Sequence, residues 1–358
     1  MKTKKVFNYN FRQILYPLLL ILAVFLFSSC NNSVCDNTKE QKDGNGKCVS
    51  IETSSDQEDS VSAKEVSLVL SGTGVSGNNI NLVVDSNGNL FYPNVNAGII
   101  HKVDISGTKS TFVAYVSSGG GYANITIDKN DNLYVATPGV IKKITSNGVV
   151  SNFAIFPSDE GARQMATDSN GNIYYTAFGP GYTDTHIVRK VTPNGVFSTF
   201  AGSGTRGNSN GIGVSASFSS LRGIAIDFAD NVFVADVGNF EIKKITPSGV
   251  VTTFAGSGTQ KVENGIGNEA SFYFNLENGY LAVDSLGNLF VGDNAYSTGY
   301  IRKISSSGEV STFCGGGSST AINSGSCAVS GLWVNMGLKV APNGSIYYLS
   351  GENLHLVK

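Results

Sequence analysis

The sequence predicts an all-β protein built as a six-bladed β-propeller, and three observations lead to this fold class. The 358 residues include 43 glycines but only 15% charged residues, a composition typical of many strands joined by tight turns. From residue 80 onward, one sequence unit recurs six times. A surplus strand before the first unit matches a strand that is missing from the last unit.

Each repeat begins with an apolar strand that ends in an Asp-x-x-Gly-Asn type of turn, as in GIAIDFADNVFV. A third strand with a basic doublet follows (EIKKI), and then a Gly-Val-x-Ser/Thr-x-Phe segment (GVVTTF). Alternating apolar residues and Gly-Asn turns indicate four antiparallel strands per repeat. One such unit cannot bury both of its faces alone, whereas radial stacking buries them. The turn residue that anchors each repeat is, in order, Asp85, Asp128, Asp168, Asp227, Asp284 and Ala341.

The sixth repeat contains only three strands, because LHLVK (354–358) is its third. The segment EVSLVLS (65–71) has the sequence of a fourth strand and precedes every complete repeat. We expect the two to pair, so that the last blade is closed by an N-terminal strand at about residues 65–71. Closure of this kind removes the open edges of the ring.

These repeats resemble the NHL repeat, most closely over residues 223–258. The strand endings Val-Ala-Asp236 and Val-Gly-Asp293 match the family pattern, whereas Asn94, Thr137 and Ala177 depart from it. The resemblance covers about residues 65–358 and implies an NHL-type propeller. It does not decide the function, because relatives of this architecture include lyases, lactonases, protein-binding scaffolds and RNA-binding domains.

Residues 1–29 have the pattern of a lipoprotein signal peptide, with a basic start, an apolar run at 14–27 and small residues before Cys30. We expect export and acylation of Cys30, which would anchor the protein by lipid to the outer membrane or the periplasmic face of the cell envelope. Secretion with a free Cys30 is the alternative. Residues 30–63 are polar and acidic and predict a flexible tether, followed by the propeller at 64–358.

The other four cysteines form two pairs, Cys35 with Cys48 and Cys314 with Cys327, each thirteen positions apart in a polar, glycine-containing stretch. Two local disulfides are predicted, each worth about 3 kcal/mol by the chain-entropy model. Neither pair has the spacing of a zinc site.

Polar residues are predicted at the mouth of the central channel, because they lie two, four or five positions before the anchors. They are Asn81, Asn124, Arg163, Gln164, Arg222 and Lys339. We interpret them as a site for an anionic or polyhydroxylated small ligand, with simple hydration of the channel as the alternative. These positions include no carboxylate, which a calcium-dependent enzyme would need. No catalytic residue, metal ligand or cofactor is predicted.

The repeated charged residues receive structural interpretations. The anchor aspartates are expected to accept backbone N–H groups in the turns they open. The third-strand lysines are expected to lay their stems along apolar neighbours. With a formal net charge of −2, the sequence does not predict binding of nucleic acid.

The blade-to-blade connections at 202–223, 256–279 and 314–337 are long, and they carry Tyr273 and Trp333. Aromatic residues on loops held by a rigid scaffold favour recognition of a protein or glycan partner. The sequence therefore favours a monomeric, lipid-anchored binding or scaffold propeller at the cell envelope that uses this long-loop face. The alternative is a metal-dependent lyase or lactonase-like hydrolase with its site at the channel mouth.

Overall fold

A computed structural model describes the propeller and a short segment before it. The described residues are 40–42, 48–50, 65–73, 80–114, 123–157, 159–275, 279–295, 298–317, 324–327, 332, 334, 336–350 and 352–358. Chain contacts separate residues 1–61 from residues 62–358. In the first unit, Glu40–Lys42 pairs antiparallel with Cys48–Ser50. Cys30, Cys35 and the rest of the predicted signal peptide and tether lie outside the described residues.

Six antiparallel sheets form the propeller, as predicted, and the strands of each follow one another from the axis outward. Blade 1 contains Val83–Val84, Leu90–Asn94, Ile99–Val103 and Lys109–Ala114. Blade 2 contains Asn124–Ile127, Leu133–Thr137, Val140–Ile144 and Val150–Ile155. Blade 3 contains Gly161–Thr167, Ile173–Phe178, Asp184–Val191 and Phe197–Ala201.

The second half of the ring has five strands per blade, the fifth being short and outermost. Blade 4 contains Leu221–Ile226, Val232–Asp236, Glu241–Ile245, Val250–Ala255 and the outer Gly211–Ile212. Blade 5 contains Leu281–Val283, Leu289–Ala295, Thr298–Ile304, Glu309–Gly315 and the outer Gly265–Ile266. Blade 6 contains Met336–Val340, Ile346–Ser350, Asn353–Val357, Glu65–Leu70 and the outer Ser324–Ser326. The 3-10 helices are Pro180–Tyr182, Gly213–Ser215, Val237–Asn239 and Gly267–Glu269. None of the helices in the described part of the chain is long and apolar enough to cross a membrane.

The predicted ring closure is confirmed. Glu65–Leu70 pairs antiparallel with Asn353–Val357, with Val66 opposite Val357 and Leu70 opposite Leu354. The junction is extended beyond the sheet, because Thr73 donates from both its N–H and its hydroxyl to the carbonyl of Glu352, at 2.9 and 3.0 Å. The last blade is thus built from two segments that are distant in sequence.

Antiparallel order gives the propeller two different ends. The turns that join strand 1 to strand 2 and strand 3 to strand 4 lie at one end, which we call the turn face. The links from strand 2 to strand 3 and the blade-to-blade loops, such as 202–220 and 256–280, lie at the other, the connection face. On the turn face, Asp85 accepts the N–H groups of Asn87 and Asn89 at 3.0 and 2.8 Å. The other four anchor aspartates accept the corresponding N–H groups, which confirms their structural role.

The hydrophobic core lies between neighbouring blades, where apolar side chains from adjoining sheets meet in five clusters. The third-strand lysines cover aromatic rings at the rims of the sheets, as expected. Their ammonium groups lie 5.2 to 5.7 Å from the ring centroids in four pairs: Lys102 with Phe91, Lys143 with Tyr134, Lys190 with Tyr174 and Lys244 with Phe233.

The third-strand position just before these lysines holds a histidine in blade 1, and the equivalent position of blade 6 also holds one. The His355 ring stacks on Tyr348 with centroids 4.8 Å apart, and His101 packs on Tyr92 at 5.2 Å. Both nitrogens of His355 and the hydroxyl of Tyr348 are buried and have no hydrogen-bond partner among the described residues. Burial lowers the pKa of His355 from 6.5 to about 4. His355 is therefore a neutral packing residue.

Replacing Val66, which is 2% exposed, with Asp should destabilise the folded state by about 3 kcal/mol or more, because it buries a carboxylate without a partner. Leu68→Asp is the matched control, since Leu68 in the same strand is 36% exposed. Urea unfolding of the full chain measures both. Equal losses in the two variants would contradict the observed closure.

His355 should make stability depend on pH. The unfolded histidine takes up a proton below pH 6.5, whereas the folded one resists until about pH 4, so its contribution is complete above 6.5 and is lost as pH falls towards 4. At about 1.4 kcal/mol per pKa unit, the loss is on the order of 3 kcal/mol. Thermal melts between pH 7 and pH 4 measure this effect. The melting temperature of His355→Phe should fall less steeply with decreasing pH than that of the wild type. An unchanged acid slope in the variant would contradict the assignment.

Candidate functional site

A narrow channel runs between the first strands of the six blades and leaves a cavity volume of about 70 Å³. The layer two residues before the anchors consists mostly of small side chains: Val83, Thr126, Ala166, Ala225, Ala282 and Lys339. Crowding is also evident at Gly223, where an added Cβ would lie 1.8 Å from the carbonyl oxygen of Gly279. The channel therefore admits only water or a small ion, and larger ligands must bind above its mouth.

Lys339 is the charged member of that layer. None of the hydrogen bonds or ion pairs among the described residues uses its ammonium group, and burial lowers its pKa. Lys339 thus lies within the channel, below the position that a ligand at the mouth would occupy.

The amides predicted at the mouth connect neighbouring blades. Asn124 of blade 2 donates through Nδ2 to the carbonyl of Arg163 and accepts the N–H of Met165 through Oδ1 at 3.2 Å. Gln164 of blade 3 accepts the N–H of Ile224 through Oε1 at 2.8 Å. Asn81 is buried at the equivalent position of blade 1, and its Oδ1 has no partner in the part of the chain that the structure describes. Two of the three amides therefore hold the main chain of the next blade.

The two arginines reach the mouth because the first strand is irregular at the same point in blades 3 and 4. The register shifts between Ala162 and Gln164 in blade 3 and between Leu221 and Ile224 in blade 4. A β-bulge of this kind redirects the side chain of the extra residue. Arg163 and Arg222 occupy these bulges.

Both bulges are fixed by side chains of the preceding blade. The carbonyl of Arg163 accepts from Asn124, and that of Arg222 accepts from the hydroxyl of Thr176 at 2.6 Å. The next N–H groups are bound by Asn124 Oδ1 and Gln164 Oε1. The orientation of each arginine is therefore set before any ligand arrives.

The arginines converge on a carboxylate that the sequence analysis did not place at the mouth. Asp184 Oδ1 accepts from Arg163 Nη2 at 2.9 Å and from Arg222 Nη1 at 2.8 Å. Its Oδ2 accepts from Ser220 Oγ at 2.7 Å. Burial raises the pKa of Asp184, but the bonds from Ser220 and Arg222 and the two positive charges outweigh it, and the pKa lies below its usual value.

The six positions selected from the sequence contain no carboxylate, and the carboxylate beside the arginines comes from a different strand. Asp184 begins the third strand of blade 3, which at eight residues is longer than the five-residue third strands of blades 1, 2 and 4. That extra length, in DTHIVRKV, is a sequence signal that could have pointed to Asp184.

Three residues around Asp184 have left-handed backbone conformations although none is glycine. Their φ angles are 62° for Tyr182, 55° for His186 and 60° for Ser220. Such conformations cost on the order of 1–3 kcal/mol each and concentrate at functional sites. The carbonyl of Tyr182 accepts from Arg163 Nη2 at 2.7 Å, so the strained backbone and the arginine belong to one arrangement.

His186 adds a hydrogen-bond donor to this arrangement. Its Nδ1 accepts the N–H of Ser220 at 3.2 Å. Burial lowers the pKa of His186, opposed by Asp184 and reinforced by Arg206 and Arg222. A neutral imidazole that accepts at Nδ1 carries its proton on Nε2. The channel mouth is consequently rich in donors, with Asp184 as its carboxylate among the described residues.

The long blade-to-blade connections form a recognition surface in the sequence-based prediction, and in the structure they also contribute strands to the sheets. Each first passes along the outer edge of the following blade and adds the fifth strand: Gly211 pairs with Val251, Gly265 with Val310 and Ser324 with Ser67. These short strands cover the edges of blades 4, 5 and 6.

Buried aspartates at the ends of second strands fix the first two long loops. Asp236 accepts the N–H of Ser219 and the side chain of Asn239, both at 2.7 Å. Asp293 accepts the N–H of Tyr273 at 2.8 Å and Arg302 Nη1 at 3.2 Å. Burial raises the pKa of both carboxyl groups to about 7.

Two buried cations and a disulfide also hold the long loops in place. Arg302 is fully buried and donates to the carbonyls of Ser271 and Glu263 at 3.2 and 3.0 Å, whereas Lys243 donates to Asn208 at 2.6 Å. The predicted Cys314–Cys327 disulfide is present, with Cα atoms 5.1 Å apart, and it attaches the third loop to blade 5.

Of the two residues predicted to contact a partner, the structure describes one. Tyr273 lies in the second long loop with a half-buried side chain, and its main chain is fixed by Asp293. Trp333 lies outside the described residues, as does the predicted partner of Cys48. Among the described residues, no group of three or more His, Cys, Asp and Glu side chains is arranged to hold a metal ion.

Comparison with known proteins adds structural neighbours. No protein-family model and no curated protein matches the chain. An auxiliary nutrient binding protein from Bacteroides thetaiotaomicron is 12% identical with a TM-score of 0.61, covering 82% of this chain and 76% of that one. Virginiamycin B lyase from Staphylococcus aureus is 13% identical with a TM-score of 0.52, covering 82% and 98%. A gluconolactonase from Xanthomonas campestris is 13% identical with a TM-score of 0.50, covering 76% and 82%. These similarities show the propeller fold.

Lys339→Met should raise the melting temperature, by an amount equivalent to about 1 kcal/mol, because it removes from the channel an ammonium that has no partner among the described residues while keeping a side chain of similar length. Lys244→Met is the control, since the ammonium of Lys244 lies over Phe233 and Phe254 and its loss should be neutral or slightly destabilising. A lower melting temperature for Lys339→Met would show that the ammonium has a stabilising partner in the channel.

Proposed function

We propose that the chain is a cell-envelope binding propeller, anchored by lipid at Cys30, that recognises a protein or glycan partner through its connection face. The observation that supports this most strongly is how firmly the long loops are held. Asp236, Asp293 and the Cys314–Cys327 disulfide each attach one loop to a blade. Loops fixed in this way lose little conformational entropy when a partner binds.

The structural neighbours are compatible with this proposal. The Bacteroides protein of the same fold is described as an auxiliary nutrient binding protein, and we extend a binding role to this chain. The predicted signal peptide and lipid anchor would place it on the envelope. The neighbours do not select the ligand, because fold alone does not imply function.

The alternative is a lyase or lactonase-like hydrolase acting at the channel mouth. The strained residues around Asp184 favour it, since strain concentrates at catalytic as well as binding sites. Against it, the Nδ1 lone pair of His186 is occupied by Ser220, which leaves that ring a donor rather than a general base.

The proposal predicts that the double variant Tyr273→Ala/Trp333→Ala binds its partner at least roughly tenfold more weakly, because buried aromatic contacts contribute about 1–2 kcal/mol or more each at interfaces. The partner is first captured from solubilised envelope and from a glycan array, and affinity is then measured by biolayer interferometry. Phe228→Ala is the control, since Phe228 is 80% exposed on the opposite, turn face.

Two results would count against this surface. Loss of binding in Phe228→Ala with full binding by the double variant would place recognition on the turn face. Turnover of gluconolactone or virginiamycin B by the wild-type chain, abolished by Asp184→Asn, would favour the enzyme.

A further inference from the structure

We infer that the centre formed by Arg163, Arg222 and Asp184 binds the oxyanion of an acidic saccharide, with Tyr182 as the platform for the sugar ring. This inference rests on the proposed function, and it deepens it by assigning a ligand class to one part of the connection face. Four observations carry it: charge, unused donors, preorganisation and an exposed aromatic ring.

The first observation is an excess of positive charge. Arg163 and Arg222 share a single carboxylate oxygen of Asp184, at 2.9 and 2.8 Å. Arg206 contributes a further positive charge close to His186. The two bulge arginines repel one another, and burial together with Arg222 lowers the pKa of Arg163, partly offset by Asp184. An added anion would relieve this repulsion, in a protein whose overall formal charge is −2.

The second observation is the set of donors. Within the described part of the chain, Arg163 donates to Tyr182 O and Asp184 Oδ1, in both cases from Nη2, and its buried Nε has no partner there. The guanidinium fork of Arg163 is therefore incompletely used by the protein. The neutral His186 ring keeps an N–H donor at Nε2, and its Nδ1 accepts from Ser220, the residue whose hydroxyl donates to Asp184. Carboxylates and sulfates match such donors better than neutral hydroxyls do.

The third observation is preorganisation. Asn124, Thr176 and Gln164 fix the main chain on either side of both bulges, so the arginines do not depend on a ligand for their position. The register of the first strand also shifts in blade 6, between Met336 and Leu338, where the intervening residue is Gly337. The bulge itself therefore recurs in the ring, whereas blades 3 and 4 place an arginine in it. Fixed donors bind an anion without the entropy cost of ordering two long side chains.

The fourth observation selects a saccharide. Tyr182 is 51% exposed, and its ring stacks on Phe178 with centroids 4.9 Å apart and planes 22° apart. The Arg163 guanidinium lies over the other aromatic ring of the pair, 5.4 Å from the Phe178 centroid. A flat, supported aromatic surface next to an anion site suits a ring that carries both C–H groups and an acid.

The test measures binding of three probes to the full chain by isothermal titration calorimetry: oligogalacturonate, a sulfated oligosaccharide and a neutral galacto-oligosaccharide. We expect an acidic probe to bind and the neutral one to bind at least roughly tenfold more weakly, with affinity falling as salt rises. Whether carboxylate or sulfate binds more tightly identifies the source of the oxyanion.

Variants then locate the site. Arg222→Gln should weaken acidic-probe binding by roughly tenfold or more, and Tyr182→Ala should weaken it as well. Asp184→Asn should strengthen it, because it removes the competing carboxylate. Lys129→Gln is the matched control, since it removes one positive charge from an exposed residue on the turn face. Thermal melts confirm that each variant is folded, and Arg222→Lys, which keeps the charge, serves if Arg222→Gln does not fold.

The outcomes separate this inference from the function it rests on. Equal binding of neutral and acidic probes, unaffected by Arg222→Gln, would overturn the anion site and leave a glycan-binding propeller. Absence of binding to all three probes would also overturn it, whereas a captured protein partner lost in the Tyr273/Trp333 double variant would still support the proposed function. Acidic binding that is lost equally in Lys129→Gln would reduce the effect to overall charge.

Discussion

The convergence of six first strands on one axis is the constraint on which the rest of the structure depends. Strands so close together leave room only for small side chains or none, as at Ala225, Ala282 and Gly223. They also bring the backbone of each blade within reach of its neighbour's side chains, which is how Asn124 and Gln164 bind the next strand. Crowding thus provides both the narrow channel and the fixed positions of the arginines at its mouth.

The ring combines this repeated constraint with a marked difference between its halves. Among the residues that the structure describes, blades 1 to 3 have four strands, whereas blades 4 to 6 each gain an outer strand from the preceding long loop. Buried charge accompanies the longer loops: Lys243 and Arg302 occupy the third-strand position that holds His101 and His355 in blades 1 and 6. Because a buried cation must be satisfied by hydrogen bonds, each one forces a loop into a single arrangement. Polar burial therefore gives the loops a defined shape rather than additional stability.

The fold could be predicted from the sequence because it is repeated six times. Anchor turns, strand order and ring closure each appear as a local pattern, and the structure confirms them. The Cys314–Cys327 disulfide could be predicted because its two cysteines are close in sequence.

The candidate site could not be predicted in full, because it is made from departures from the repeat. Arg163 and Arg222 were selected by their position before the anchors, but Asp184 comes from a third strand, and the bulges that bring the three together have no sequence signature. The same holds for Asp293, which the strand ending marks but whose role in holding Tyr273 depends on a loop from the preceding blade.

The closing strand has a consequence for how the ring assembles. Thr73 and Glu352, whose groups meet at the junction of the last blade, are separated by 279 positions in the chain. During synthesis the strand at 65–70 is made before any complete blade, yet its partner at 353–357 appears only after all the others. Contacts between such distant segments form slowly, because the loop between them must be ordered first. The earliest strand of the propeller can pair with its inner neighbour only after residues 353–357 have been made, and until then that edge is open to pairing with another chain.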